Sequence, residues 1–140
     1  MKMNPAEYPH FIKRQVFLYE TDALGHTNNV TFFQYMESAR FELFKKLGLF
    51  DPKDILTCHL VLAHAECDYK KISRYDDVLR IYSRVSEIGR SSFGIEHLFV
   101  HDQSGEVMAT GRVVLVSHHN QENKVLPLTE EVKKRLKAYQ

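Results

Sequence analysis

The stretch from Asn29 to Leu47 limits the folds open to this chain more than any other. Apolar residues fall at Val30, Phe33, Met36, Phe44 and Leu47, and Phe32, Tyr35, Ala39, Phe41 and Leu43 widen the stripe well past one face. A helix with that pattern is stable only if most of its sides are buried. Asn28 or Asn29 can cap its first amides and Gly48 can supply the left-handed residue that stops it, giving about five turns. The material to bury it lies on both sides. Upstream, residues 11–19 (FIKRQVFLY) read as a strand. Downstream, His59 to Tyr69, Val78 to Ile88, Ser91 to His101 and Val107 to His118 alternate, as in Val61, Ala63, Ala65, Cys67 and Tyr69 or in Phe93, Ile95, His97 and Phe99. Such alternation suits antiparallel strands with one buried face. Asp102 to Gly105 reads as a hairpin turn, and Gly89 with Arg90 as a tighter one. Thr129 to Tyr139 reads as a short closing helix capped by Thr129. The expectation is an α+β fold: a five-stranded antiparallel sheet ordered as a meander after the helix, with the long helix across it. Phe32, Tyr35 and Phe41 together exceed what one contact face can take, so an oligomer is expected.

A chain of 140 residues with 44% hydrophobic content is sized for one core, and residues 1–140 are read as a single domain. The formal charge of +1 provides no global field toward nucleic acid or an anionic membrane. Cys58 and Cys67 are too few for a disulfide framework and lack metal-ligand spacing, and residues 1–15 lack the apolar core of a signal peptide. No apolar run reaches the roughly 18 to 20 residues that span a bilayer. A cytoplasmic protein is expected. The eight histidines are scattered without the spacing of a metal site, so no metal is expected. Ser91 and Ser92 lack the elbow motif of a nucleophilic serine, and neither cysteine has an evident base.

Chemistry concentrates just before the long helix. Glu20 to Asn28 breaks both periodicities with Glu, Thr, Asp, Gly, His and Asn. A helix start exposes amide hydrogens with roughly half a positive charge, and Gly25 just before it lets a ligand approach the backbone. Such a start polarises a carbonyl, and Asp22 adds a carboxylate that can attack or activate water. On residue types alone an equal reading stands beside this one: Asp22 closes an Asx turn, while His26 and the two asparagines merely cap. Glu37 and Arg40 sit three apart on the helix and are read first as an ion pair.

The run Tyr19-Glu-Thr-Asp-Ala-Leu-Gly-His-Thr-Asn-Asn-Val-Thr-Phe-Phe-Gln-Tyr-Met-Glu-Ser-Ala-Arg40 closely resembles the signature of hot-dog-fold acyl-CoA thioesterases of the 4-hydroxybenzoyl-CoA thioesterase type. The resemblance continues through Arg74-Tyr75-Asp76-Asp77, Gly89-Arg-Ser-Ser-Phe, Ala109-Thr-Gly-Arg-Val and Pro127-Leu. It implies a curved antiparallel sheet wrapped around one long helix, a homodimer assembling to a homotetramer, and no metal or cofactor. It also implies hydrolysis of an acyl-CoA or acyl-carrier-protein thioester. By motif alignment Asp22 is the nucleophile or general base, the backbone amide of Asn29 polarises the carbonyl, and Gly25 shapes the loop. His26 is a further catalytic candidate, and Arg90, Ser91 and Ser92 are the implied contacts for the nucleotide end of coenzyme A. The chain departs from the pattern at Ser73, where the family often has Pro, and at Phe32, where it often has Tyr. Two rival functions remain at this stage. An acyl-CoA hydratase or dehydratase would use Asp22 and His26 as an acid and base, and a non-catalytic acyl-binding protein would keep only the fold.

Overall fold

A computed structural model describes residues 1–140. Strand β1 (His10–Gln15) precedes the long helix α1 (Asn29–Leu47); β2 (Leu60–Tyr69), β3 (Val78–Ile88), β4 (Ser92–His101), β5 (Val107–His119) and the short β6 (Lys124–Val125) follow, and α2 (Glu130–Lys137) closes the chain. Of the two candidate caps, Asn28 is the one used: its side chain accepts the Val30 N–H, and Gly48 ends the helix at φ 70°. Thr129 caps α2 by accepting the Val132 N–H. No helix is long and apolar enough to cross a membrane.

The sheet is antiparallel, but its order is β1-β3-β4-β5-β2, with β6 paired to β5. The expected meander therefore holds only for β3 to β5. The chain leaving α1 enters at the far edge, so β2 pairs with β5 and not with its successor, and β1 takes the opposite edge against β3. Strand β1 also ends earlier than the sequence pattern suggested. At Val16 the N–H turns to the Asp77 carbonyl, and Leu18–Glu20 winds into a single 3-10 turn whose leading amide, on Phe17, is taken by the Glu20 carboxylate. In β2 a bulge between Leu62 and His64 reverses the alternation. Leu62, opposite Leu115, therefore shares the inner face with Ala65 and Cys67, in place of Val61 and Ala63.

The aromatic residues of α1 do not overfill the chain's own core. The sheet curls around the helix, so Phe32 packs edge-on against both Tyr69 and Phe99, and Phe41 against Phe44 and Phe50. The surplus that suggested an oligomer is absorbed inside one chain.

A polar layer splits the core beneath α1. Strand register aligns His10, Ser83, His97, Gly111 and Cys67 in one row across the sheet. On one side lies the cluster that includes Phe32, Met36, Leu79, Ile81 and Phe99; on the other lies the cluster of Leu43, Phe44, Val85, Phe93 and Leu115. Gly111 belongs to the row because Met36 lies where its side chain would be. His97 is fully buried, and burial first, then the Arg40 charge, holds its pKa down at about 3, so the ring is neutral. His10 Nε2 lies 3.1 Å from the Ala39 carbonyl and its Nδ1 3.2 Å from Lys46 Nζ. A carbonyl only accepts, so Nε2 carries the proton and Nδ1 accepts from the ammonium. Arg40 is buried and pairs with Glu37 at 3.6 Å, as its spacing suggested.

Candidate active site

The loop between the 3-10 turn and α1 is a small closed structure. Thr21 bridges Thr27, and the Asp22 N–H donates to the His26 carbonyl at 2.7 Å. Gly25 turns the tip at φ 76°, in the left-handed region that favours glycine, and donates its N–H to the Asp22 carbonyl at 3.0 Å. At the base of the loop the Asn28 N–H donates to the Glu20 carbonyl at 2.7 Å. The flank is pinned to the segment before β3: the Thr27 N–H donates to the Ser73 carbonyl, and buried Ser73 Oγ donates to Thr27 Oγ1 at 2.6 Å. A proline at 73 would keep the carbonyl and lose the hydroxyl, so the departure at Ser73 adds a loop contact.

Within this frame the carboxylate of Asp22 is half anchored. Oδ1 accepts the N–H of Leu24 at 2.9 Å and of His26 at 3.1 Å, while Oδ2 takes no hydrogen bond. The Asx-turn reading and the functional reading are therefore compatible, because one oxygen fixes the side chain and leaves the other available. His26 meets Asp22 through its backbone alone, and its ring makes no hydrogen bond. It bridges Arg74 across the neighbouring segment.

At the first turn of α1 the Val30 N–H goes to Asn28 Oδ1 and the Thr31 N–H to the Asn28 carbonyl. The Asn29 N–H has no partner, so one donor with the positive end of the helix dipole behind it is open to a ligand. Tyr69 donates its phenol to the Asn29 carbonyl at 2.9 Å and fixes that turn from β2. Burial first, then its Cys67 neighbour, pushes the Tyr69 phenol up to about 12, so it remains a donor at neutral pH. A phenol thus reaches the helix start from β2, although position 32 carries none. The same neighbourhood holds Cys67, whose thiol burial pushes up to about 11, which leaves it a poor nucleophile.

The other expected contacts lie elsewhere. Arg90, Ser91 and Ser92 form the β3–β4 turn at the end of the sheet near α2, where the Arg90 carbonyl accepts the Leu128 N–H. The length of β3 separates them from the Asp22 loop, roughly 30 Å at strand spacing. A single chain does not bring them together. An apolar pocket of about 240 Å³, lined by residues that include Leu49, Leu60, Leu126 and Val132, also lies at that far end. Around the Asp22 loop the surface is open and apolar: Leu18, Tyr19, Leu24, Val30, Ile72 and Tyr75 are exposed. Nowhere do three or more His, Cys, Asp or Glu side chains gather as a metal-binding group.

Residues 16–136 match the family model described as the thioesterase-like superfamily. The chain belongs to that superfamily. Its relatives include the uncharacterized protein YsmA of Bacillus subtilis (strain 168), 37% identical over 92% of this chain and 86% of that protein. A second is the long-chain acyl-CoA thioesterase FadM of Escherichia coli (strain K12), 21% identical over 84% of this chain and 89% of the other. Among solved structures, a thioesterase from Thermus thermophilus complexed with coenzyme A and Zn superposes with a TM-score of 0.82, at 32% identity over 95% of each chain. The fold is therefore the hot-dog fold, with the curled antiparallel sheet around α1 and the short α2. The chemistry of this superfamily member is thioester hydrolysis.

Sequence reasoning missed Glu20, Tyr35, Tyr69 and Ser73. Glu20 carried a local signal, because it precedes Asp22 by two positions in a run without periodicity. Its carboxylate accepts the Tyr35 phenol at 2.7 Å, fifteen residues on, and that bond had no local signal.

Proposed function

We propose that this chain hydrolyses acyl-CoA thioesters, with Asp22 as nucleophile or general base and the Asn29 backbone amide as the donor to the thioester oxygen. The observation that carries this is the combination on one closed loop of a carboxylate with one anchored and one free oxygen and a helix amide without a partner. The carbonyl oxygen gains negative charge as the tetrahedral centre forms, and a preorganised amide there is worth roughly 3 to 4 kcal/mol. The leaving thiolate comes from a thiol with a pKa of about 8.5, so expulsion needs little acid assistance. Gly25 gives the loop its left-handed tip, and His26 contributes backbone hydrogen bonds that hold Asp22. A hydratase would need a paired acid and base, and the His26 ring makes no bond to Asp22.

The substrate is a coenzyme A thioester in this reading, supported by the coenzyme A complex of the Thermus relative and the long-chain acyl-CoA substrate in the name of the Escherichia relative. A second copy of the chain completes the site. The exposed apolar residues around the loop and the unpaired outer edge of β2 support a homodimer, and pairing of dimers gives the homotetramer. Arg90, Ser91 and Ser92 of one copy would then serve the nucleotide end of a ligand held at the Asp22 loop of another. A thiol-release screen across acyl-CoA chain lengths, with molar mass measured in solution, tests this. Turnover that Asp22→Ala abolishes in an assembled protein is expected. Absence of thiol release from the whole panel, or an active monomer, would overturn it.

A further inference from the structure

Glu20 holds both ends of the catalytic loop. Its carbonyl accepts the Asn28 N–H at 2.7 Å and the Thr31 hydroxyl at 3.4 Å, which closes the base of the loop against the first turn of α1. Its carboxylate Oε1 accepts two donors, the Phe17 N–H at 2.9 Å and the Tyr35 hydroxyl at 2.7 Å. The first bond closes the 3-10 turn that leads into the loop. The second reaches the second turn of α1, where Tyr35 is buried in the front half of the core. Asp22 and Asn29 both lie between these ties, Asp22 two residues after Glu20 and Asn29 directly after Asn28.

We infer that Glu20 is a positioning residue, a clamp between loop and helix through Tyr35 that sets where the Asp22 carboxylate stands relative to the Asn29 amide. This rests on the roles assigned above to Asp22 and Asn29. The Tyr35 phenol is suited to its part: burial, then the Glu20 bond, raises its pKa, so it donates throughout the physiological range. The clamp works by acceptor geometry and not by charge. Both bonds end on a single oxygen, and a glutamine oxygen can take the same place.

The test compares Glu20→Ala, Glu20→Gln, Tyr35→Phe and the Glu20→Ala/Tyr35→Phe pair, with Asp22→Asn alongside. kcat and KM are measured for the acyl-CoA that gives the fastest thiol release, per folded molecule. Misplacement of about 1 Å can cost on the order of 100-fold in rate, so Glu20→Ala is expected to lower kcat by about 10- to 100-fold with KM nearly unchanged. Glu20→Gln should restore kcat to within a few-fold of the parent. Tyr35→Phe should lower kcat less than Glu20→Ala, and the pair should be no worse than Glu20→Ala alone. Three results would overturn the inference: kcat intact in Glu20→Ala with only the melting temperature lowered, a loss confined to KM, or Glu20→Gln as impaired as Glu20→Ala. Retained turnover in Asp22→Asn would instead overturn the role of Asp22, whereas an inactive Asp22→Asn beside a fully active Glu20→Ala would overturn the clamp alone.

Discussion

The two ends of α1 are secured by different forces. At the front, the Asp22 loop is exposed and its shape is fixed by hydrogen bonds: Asp22 to His26, Asn28 to Glu20, Thr27 to Ser73. At the rear, Leu43, Phe44 and Leu47 are buried in an apolar cluster with Val85, Phe93, Leu115 and Leu136. Between them runs the polar row of His10, Ser83 and His97 beneath Arg40. Polar bonds net little stability, and apolar burial supplies most of it. The front end is therefore free to present unsatisfied groups, which reactivity requires, while the rear keeps the helix in place.

If that division is right, activity and stability come apart by region. The largest effect is expected at Asp22: Asp22→Ala should lower kcat/KM by roughly 100- to 10,000-fold, the usual contribution of a positioned base, with little change in melting temperature. Equal losses in rate and stability would break the contrast. Next is Phe44→Ala, which should cost about 3–5 kcal/mol in denaturant unfolding while kcat per folded molecule stays near the parent value.

The middle layer gives two further tests. His97 titrates near 6.5 unfolded and at about 3 folded, so the unfolded chain binds more protons between those values. Its contribution is complete above pH 6.5 and is lost as pH falls toward 3. Burial, then Lys46, lowers His10 in the same direction. Unfolding free energy followed from pH 7 to pH 4 should therefore fall, and less steeply in His97→Gln. Arg40 carries a buried charge whose Nε has no partner and whose only carboxylate, on Glu37, is mostly exposed. Replacing it with Met should leave stability unchanged or raise it by up to about 1–4 kcal/mol, and a clear loss would show that the charge is compensated. A small loss is expected at Gly25→Ala. Nothing lies within 4 Å of the added carbon, so only the positive φ resists it, at about 1 kcal/mol.

What was legible from the residues follows the same line. The helix, its Asn28 and Gly48 caps, and strands β3 to β5 rest on local periodicity and turn chemistry, and they stand within a residue or two of the expected limits. Three features escaped because their causes are not local. The end of β1 depends on Val16 meeting Asp77, the β2 bulge depends on Leu62 facing Leu115, and the edge position of β2 depends on how the sheet curls around α1. At the candidate site, the loop before the helix offered Asp22, Gly25 and Asn29 as local signals, and their roles remain proposals. The supports from Tyr35, Tyr69 and Ser73 come from distant parts of the chain and become visible only when it is folded.

The central claim is that the front end acts through a backbone donor at the start of α1, and one substitution isolates it. Position 29 is the first helical residue, where proline is well tolerated, and Asn28 before it is already extended at ψ 135°. Asn29→Pro therefore deletes the amide hydrogen and keeps the helix, whereas Asn29→Ala keeps the amide and deletes only the side chain. Thiol release from the best acyl-CoA substrate should fall by about 100- to 1,000-fold in Asn29→Pro and stay close to the parent in Asn29→Ala, with both proteins folded. Full activity in Asn29→Pro, or an equal loss in Asn29→Ala, would contradict the account.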